Sequence, residues 1–286
     1  MTTAADAALH PWNTGFTWTV SPPPYRQLSA GQVEQFDREG YVVVPDVVDP
    51  ATLAEVVAEI DRFEAKVEAH LSSTESRRLS IAEAGAITFT THLVTRSPLL
   101  RELARHPFFA GVCADLVGPD VNLYWDQAVY KKPEKPRRFP WHQDNGYAYV
   151  EPQQYLTCWV ALTDATLHNG CPQVARGLHR KGTLAHTFVD PLGWECFDEI
   201  DPDDVAVAEV GAGGVVVFSS LTPHLTGPNV TGSVRKAYIL QYAPAGAEVL
   251  QGRPPGAPEG RVPADDPERQ FPVVRGGKRV TAPVAS

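Results

Sequence analysis

The nine residues Phe139-Pro140-Trp141-His142-Gln143-Asp144-Asn145-Gly146-Tyr147 decide how the rest of this 286-residue chain is read. They place a histidine and an aspartate two positions apart. Side chains alternate faces along an extended strand, so His142 and Asp144 point the same way. Alone the triplet is a weak signal. A strand-end histidine followed by an aspartate capping the turn at Asn145-Gly146 would give the same letters. A second histidine shifts the balance. His224 closes Ser219-Ser220-Leu221-Thr222-Pro223-His224, directly after the apolar run Val215–Phe218, where a buried strand would hold it rigidly. Two histidines and one carboxylate on one face of a metal leave positions open for substrate and O2, the pattern of non-haem Fe(II) oxygenases.

Around this stretch the sequence reads as strands. Val121–Lys132, Tyr155–Leu162, Val205–Val210, Gly214–Phe218 and Val234–Tyr242 are rich in β-branched and aromatic residues. His168-Asn169-Gly170, Gly211-Ala212-Gly213-Gly214 and Thr226-Gly227-Pro228-Asn229 are turn signals between them. The N-terminal part reads mostly as helices. Ser29 with Gln32 forms a capping box and Gly40 closes that helix. Tyr41–Val44 is a short strand. Asp49-Pro50 opens a long helix whose Leu53, Val56, Val57, Ile60, Phe63 and Val67 share a face. Ser72–Arg78 reads as a mobile loop, and Pro98–Arg105 and Pro107–Val117 as two further helices. Helices first and strands after predict an α+β chain with helices packed on one sheet of a double-stranded β-helix, the jelly-roll or cupin-like core. The expected division is a Pro-rich N-terminal arm over 1–27, either lying on the surface or partly disordered, and one domain over 28–245. Within it the helical part spans 28–120 and the jelly-roll core 121–245. A C-terminal tail over 246–286 is expected to wrap the surface or fray.

Arg235 lies eleven residues beyond His224, inside the last of these strands. A guanidinium among β-branched and aromatic neighbours needs an anion. That anion is either a protein carboxylate or the distal carboxylate of a bound acid, held by the guanidinium fork.

The set His142-x-Asp144, His224 and Arg235 resembles the phytanoyl-CoA dioxygenase (PhyH-like) family of Fe(II)/2-oxoglutarate oxygenases. The resemblance covers most of the chain. Gln32–Val48 is similar to the family's opening, a helix with Gln and Phe that runs into Gly-Tyr and a strand. Asn169-Gly170 followed by Gly177-Leu178-His179 is similar to its later turn, usually Asn-Gly and then Pro-Gly-Ser-His, with Arg176 and Leu178 as departures. The resemblance implies Fe(II), 2-oxoglutarate and O2. His142, Asp144 and His224 would bind the metal. Arg235 would hold the distal carboxylate and Thr226 would add a hydroxyl to it. Thr157 and Trp159 would line the cosubstrate pocket as donor and wall, and Gln127 and Lys131 would face it. Halogenating relatives replace the carboxylate with a small residue, so Asp144 implies hydroxylation of an unactivated C–H, with succinate and CO2 as co-products. Cyclisation, desaturation and epimerisation share the opening chemistry. A keto-acid-independent cupin-like dioxygenase and a non-catalytic jelly-roll binding protein are the rival readings.

A net charge of −9 argues against nucleic acid or an anionic membrane surface as the main partner. No apolar run approaches a membrane span and Met1–His10 lacks the features of a signal peptide, so a cytoplasmic enzyme is expected. Cys113, Cys158, Cys171 and Cys196 form no CxxC pair and read as packed thiols. Lys131–Arg138 carries five cations in eight residues. It is either a solvated loop or a receiver for a CoA- or carrier-bound substrate. Tyr147, Tyr149, Tyr155, Trp194 and Phe197 either line the mouth of a small-molecule pocket or cover the sheet.

Overall fold

The computed structural model describes residues 2–281; Met1 and 282–286, the ends of the expected arm and tail, lie outside the described residues. Four helices are Ala30–Glu39 (α1), Pro50–Ser73 (α2), Pro98–Leu103 (α3) and Pro107–Leu116 (α4). The main strands are Tyr41–Val44 (β1), Ile87–Thr91 (β2), Val121–Lys131 (β3), Phe139–His142 (β4), Leu156–Ala161 (β5) and Pro172–Ala175 (β6). They continue with Val205–Val207 (β7), Val215–Ser219 (β8), His224–Thr226 (β9), Arg235–Pro244 (β10) and Pro272–Arg275 (β11).

Local chemistry sets the helix ends. Ser29 Oγ accepts from the Gln32 amide while the Gln32 side chain accepts from the Ser29 amide, and Gly40 ends α1 at φ 87°. Asp49 accepts from the amides of Ala51 and Thr52 with Pro50 at the first helical position. α2 runs on to Ser73, into what the sequence suggested was a loop, and Arg78–Leu79 then pairs with Ala82–Glu83.

A large antiparallel sheet has the order β1-β8-β5-β10-β3-β2 and continues into the Arg78–Glu83 hairpin. A second antiparallel sheet has the order β7-β6-β9-β4. Period-two alternation divides the large sheet's side chains between two environments. Leu156, Cys158 and Val160 of β5 and Tyr238, Leu240 and Tyr242 of β10 join Val56 and Ile60 of α2 and Phe109 and Val112 of α4 in one apolar core. The alternate residues Thr157, Trp159, Arg235, Ile239 and Gln241 line a cavity shared with His142, His224 and Thr226 of the second sheet. Helices are thus packed behind the large sheet, and the cavity lies in front of it.

Both termini are built in more firmly than the sequence suggests. Asn13 is buried and donates to the carbonyls of Lys181 and Thr183, and Trp18 Nε1 donates to Asp37. The described part of the arm is therefore held to the domain by specific hydrogen bonds. At the other end β11 pairs with β3, and Phe271, Val273 and Val274 enter the helix-side core. Among the described residues no helix is long and apolar enough to cross a membrane.

Candidate active site

Strand pairing brings the two histidines together. β4 and β9 are adjacent, with His142 directly opposite His224 and ring centroids 4.1 Å apart. Asp144 lies just past the end of β4, as the first residue of a single 3₁₀ turn, Asp144–Gly146. The expectation of one strand through both residues needs this correction, yet Gln143 keeps extended geometry (φ −104°, ψ 145°), so alternation still carries Asp144 to the side of His142. Nε2 of His142 and Nε2 of His224 each lie 3.9 Å from Asp144 Oδ1. Among the described residues these three alone form a cluster able to hold a metal ion, their ligand atoms lying within 4.8 Å of one another.

The protonation pattern suits a metal. His142 Nδ1 is 2.8 Å from the Pro140 carbonyl and His224 Nδ1 is 3.0 Å from the Thr222 carbonyl. A carbonyl only accepts, so each Nδ1 carries the proton and each Nε2 presents a lone pair to the cluster. Burial, reinforced by neighbouring His224, pushes the His142 pKa well down and keeps the ring neutral. The Thr157 hydroxyl donates to Asp144 Oδ2, which leaves Oδ1 toward the histidines.

Gln143, on the opposite face, clamps this strand end. Its Nε2 donates to the carbonyls of Gly182 and Leu221, its Oε1 accepts from the Leu184 amide, and its own amide donates to His186 Nε2. Asn145 donates to Thr183 Oγ1 and accepts from the Val150 amide. Thr183 donates to Gln153, and Gln153 donates to Asn13 of the arm. Gly146 is needed for close approach, because a Cβ there would stand 2.2 Å from the His186 ring.

Arg235 opens β10 and is only 1% exposed. Its Nη1 makes one long bond, 3.4 Å, to the Val129 carbonyl, while Nε and Nη2 are buried without any partner. Its guanidinium sits 5.1 Å from the Trp159 ring. Burial draws its pKa down to about 9, which leaves it charged at neutral pH. No carboxylate of the described residues pairs with it, so of the two anions the sequence left open the protein carboxylate is not the one. An unpaired buried guanidinium beside a cavity is a built anion site.

The cavity, about 530 Å³, is bounded by His142, Asp144, His224, Arg235, Thr226, Thr157, Trp159 and Gln127 of the anticipated set. Lys131 does not belong to it. Its ammonium is drawn away by three converging carbonyls, Arg137 at 3.1 Å, Thr226 at 2.7 Å and Gly227 at 2.5 Å. The other cations of its run are also engaged. Lys132 pairs with Glu64 at 2.8 Å, Lys135 with Glu83 at 2.8 Å, and Arg138 with Glu195 at 2.7 Å. Of the aromatics singled out in sequence, Tyr147 and Tyr155 line the cavity, whereas Tyr149 packs on His10 and Trp12, and Phe197 on Trp141. Tyr124, Trp125, Phe218 and Gln241 also line it and escaped the sequence reading. Gln241 was within reach of it, since it lies six residues after Arg235 on the same face of one strand.

The family model described as phytanoyl-CoA dioxygenase (PhyH) matches residues 36–237. The ectoine dioxygenase of Sphingopyxis alaskensis is 31% identical over 247 residues, 79% of this chain and 78% of the relative. The methylphosphonate hydroxylase of Gimesia maris is 27% identical over 218 residues, 75% of this chain and 80% of the relative. Among solved structures, EvdO2 from Micromonospora carbonacea, complexed with 2-oxoglutarate, superposes with a TM-score of 0.62 at 25% identity, covering 81% of this chain and 97% of that one.

Proposed function

This chain belongs to the phytanoyl-CoA dioxygenase family, and from that premise we propose that His142, Asp144 and His224 hold its iron while Arg235 anchors 2-oxoglutarate. The protein is an Fe(II)- and 2-oxoglutarate-dependent dioxygenase acting on a small molecule. Bound iron, 2-oxoglutarate and O2 supply oxidation of an unactivated C–H bond, releasing succinate and CO2. The fold reading is a double-stranded β-helix with the N-terminal helices on its large sheet, supported by the two antiparallel strand orders and the helix-side core.

The chain's own residues do the positioning. The two Nδ1–H bonds to backbone carbonyls aim both Nε2 atoms at one point. Thr157 fixes the carboxylate through Asp144 Oδ2, so its hydroxyl serves the proposed ligand directly and the cosubstrate only indirectly. The free Nε and Nη2 of Arg235 form a fork for the distal carboxylate, with Thr226 as a second donor and Trp159 as the wall. Gln127 faces the same space. Apolar walls exclude bulk water, which strengthens the charge pairing and aims one C–H at the metal.

The unpaired guanidinium of Arg235 carries this reading. Its test is anaerobic titration of the apo-protein with Fe(II) and then 2-oxoglutarate. A visible metal-to-ligand charge-transfer band is expected only with both, and lost in Arg235→Ala. Iron binding without a band would leave a keto-acid-independent dioxygenase. With substrate, a product heavier by one oxygen is expected; a product without added oxygen would assign cyclisation, desaturation or epimerisation instead.

A further inference from the structure

We propose that the substrate is an uncharged, largely apolar molecule bearing a few hydroxyl or carbonyl oxygens; this rests on the reading of the site as an iron and 2-oxoglutarate centre. With the triad and Arg235 committed to metal and cosubstrate, the remaining side chains that line the cavity carry no formal charge. The polar groups left are the amides of Gln127 and Gln241, the phenols of Tyr124, Tyr147 and Tyr155, the Trp125 indole and the Ser80 hydroxyl, and of these Tyr147 already accepts from the Trp194 amide. Among the described residues the side chains of Gln127, Gln241, Tyr124 and Tyr155 have no hydrogen-bond partner in the protein, and their polar atoms open onto the cavity. Buried polar groups are normally paired, so unpaired ones facing a cavity mark where a ligand's oxygens go. Burial raises the Tyr124 pKa to about 12 and raises that of Tyr155 as well, so both are available as O–H donors.

An anion or zwitterion finds nothing here to replace its water. Stripping an ionised group without a partner costs several kcal/mol in roughly this setting, far more than one hydrogen bond to an amide returns. The basic run that would greet a phosphate or CoA is engaged in ion pairs and carbonyl bonds. The mouth is apolar too. Leu79 lines it while 64% exposed. Beside it, the hairpin at Gly193-Trp194 abuts Tyr147, with Trp194 N 3.3 Å from the Tyr147 hydroxyl and Trp194 edge-on to Phe188.

The probes are N-phenyl-1-naphthylamine and 8-anilinonaphthalene-1-sulfonate, which share their rings and differ by one sulfonate. Both are titrated by fluorescence, without O2, into the full chain loaded with Fe(II) and 2-oxoglutarate, and the charge-transfer band is recorded in the same cuvette. Expected is saturable one-to-one binding of the neutral probe, at least tenfold tighter than the sulfonate. Leu79→Lys, on an exposed side chain that folding does not need, should move that ratio at least fivefold toward the sulfonate. Equal or tighter sulfonate binding, no saturable neutral binding, or an unmoved ratio in Leu79→Lys each overturns the proposal. So does faster succinate release with ectoine or methylphosphonate than with no substrate. The band separates the two levels. A band with the neutral probe excluded sinks the substrate class alone, and neutral binding without a band sinks the iron and 2-oxoglutarate reading and the substrate class that rests on it.

Discussion

Lys131 and Arg235 face each other across two paired strands, both essentially inaccessible, and they are used in opposite ways. Lys131 gives its protons to three backbone carbonyls and takes no part in the cavity. Arg235 keeps two nitrogens free beside it. Depth and charge are the same. What separates a structural cation from a ligand-binding one is whether its donors are already satisfied. The backbone explains the difference: the turn after β9 brings the carbonyls of Thr226 and Gly227 to the lysine, while the arginine finds only the Val129 carbonyl, at long range.

The sharpest way to break that contrast is Lys131→Met. Two buried carbonyls and one partly buried one would lose their donor, at about 1–3 kcal/mol for each buried one, so a loss of about 2 kcal/mol or more is expected in urea unfolding. The KM for 2-oxoglutarate should stay within about threefold, since only a neighbouring charge is removed. A stable Lys131→Met protein with a ruined 2-oxoglutarate KM would mean that the roles are reversed.

Arg235→Met is the complement. It should raise the KM for 2-oxoglutarate about 100-fold or more, near 2.7 kcal/mol at 1.36 kcal/mol per factor of ten. Urea stability should hold or rise, because an unpaired buried charge is removed and methionine fills the space. A protein that unfolds easily, with its KM unchanged, would place Arg235 among the structural cations.

Thr157→Val tests the same distinction on the metal side. The hydroxyl bonded to Asp144 is a support for a proposed ligand, and such supports are worth roughly 10–100-fold in metal affinity. Fe(II) affinity after dialysis should fall by about tenfold, and Thr157→Ser should restore it. If Val binds iron as tightly as Thr, the hydroxyl serves only the sheet.

Much of this was legible in the sequence because its determinants are local. The capping box at Ser29, the β-branched runs and the period-two spacing of His142 and Asp144 need no knowledge of the partner strand. Legibility failed where a residue's role is set by what lies across the fold. Lys131 sits on the cavity-side register of its strand, and only the distant carbonyls of Thr226 and Gly227 reveal that it is turned elsewhere. The strands β6 and β9 are four and three residues long, too short for periodicity to announce, yet they carry the sheet that holds His224. The arm has no periodicity at all. Its hold on the core runs through Asn13, Gln153 and Thr183 to the turn that carries Asp144, a chain of single hydrogen bonds between segments far apart in sequence.

The smallest effect belongs to the remaining cations of the basic run. Lys135 and Arg138 are partly exposed and each pairs with a glutamate, Glu83 and Glu195 respectively. Exposed pairs are screened and contribute at most about 1 kcal/mol each. Lys135→Ala with Arg138→Ala should therefore lower urea stability by no more than about 2 kcal/mol, less in high salt. The informative readout is binding of free CoA, measured by calorimetry at low ionic strength. If these cations are satisfied as Lys131 is, neither the native protein nor the double variant takes up CoA, and neutral-probe binding is the same in both. CoA uptake by the native protein that vanishes in the double variant would put them with Arg235, as charges still awaiting an anion, and would move the substrate from a neutral molecule to a phosphate-bearing thioester.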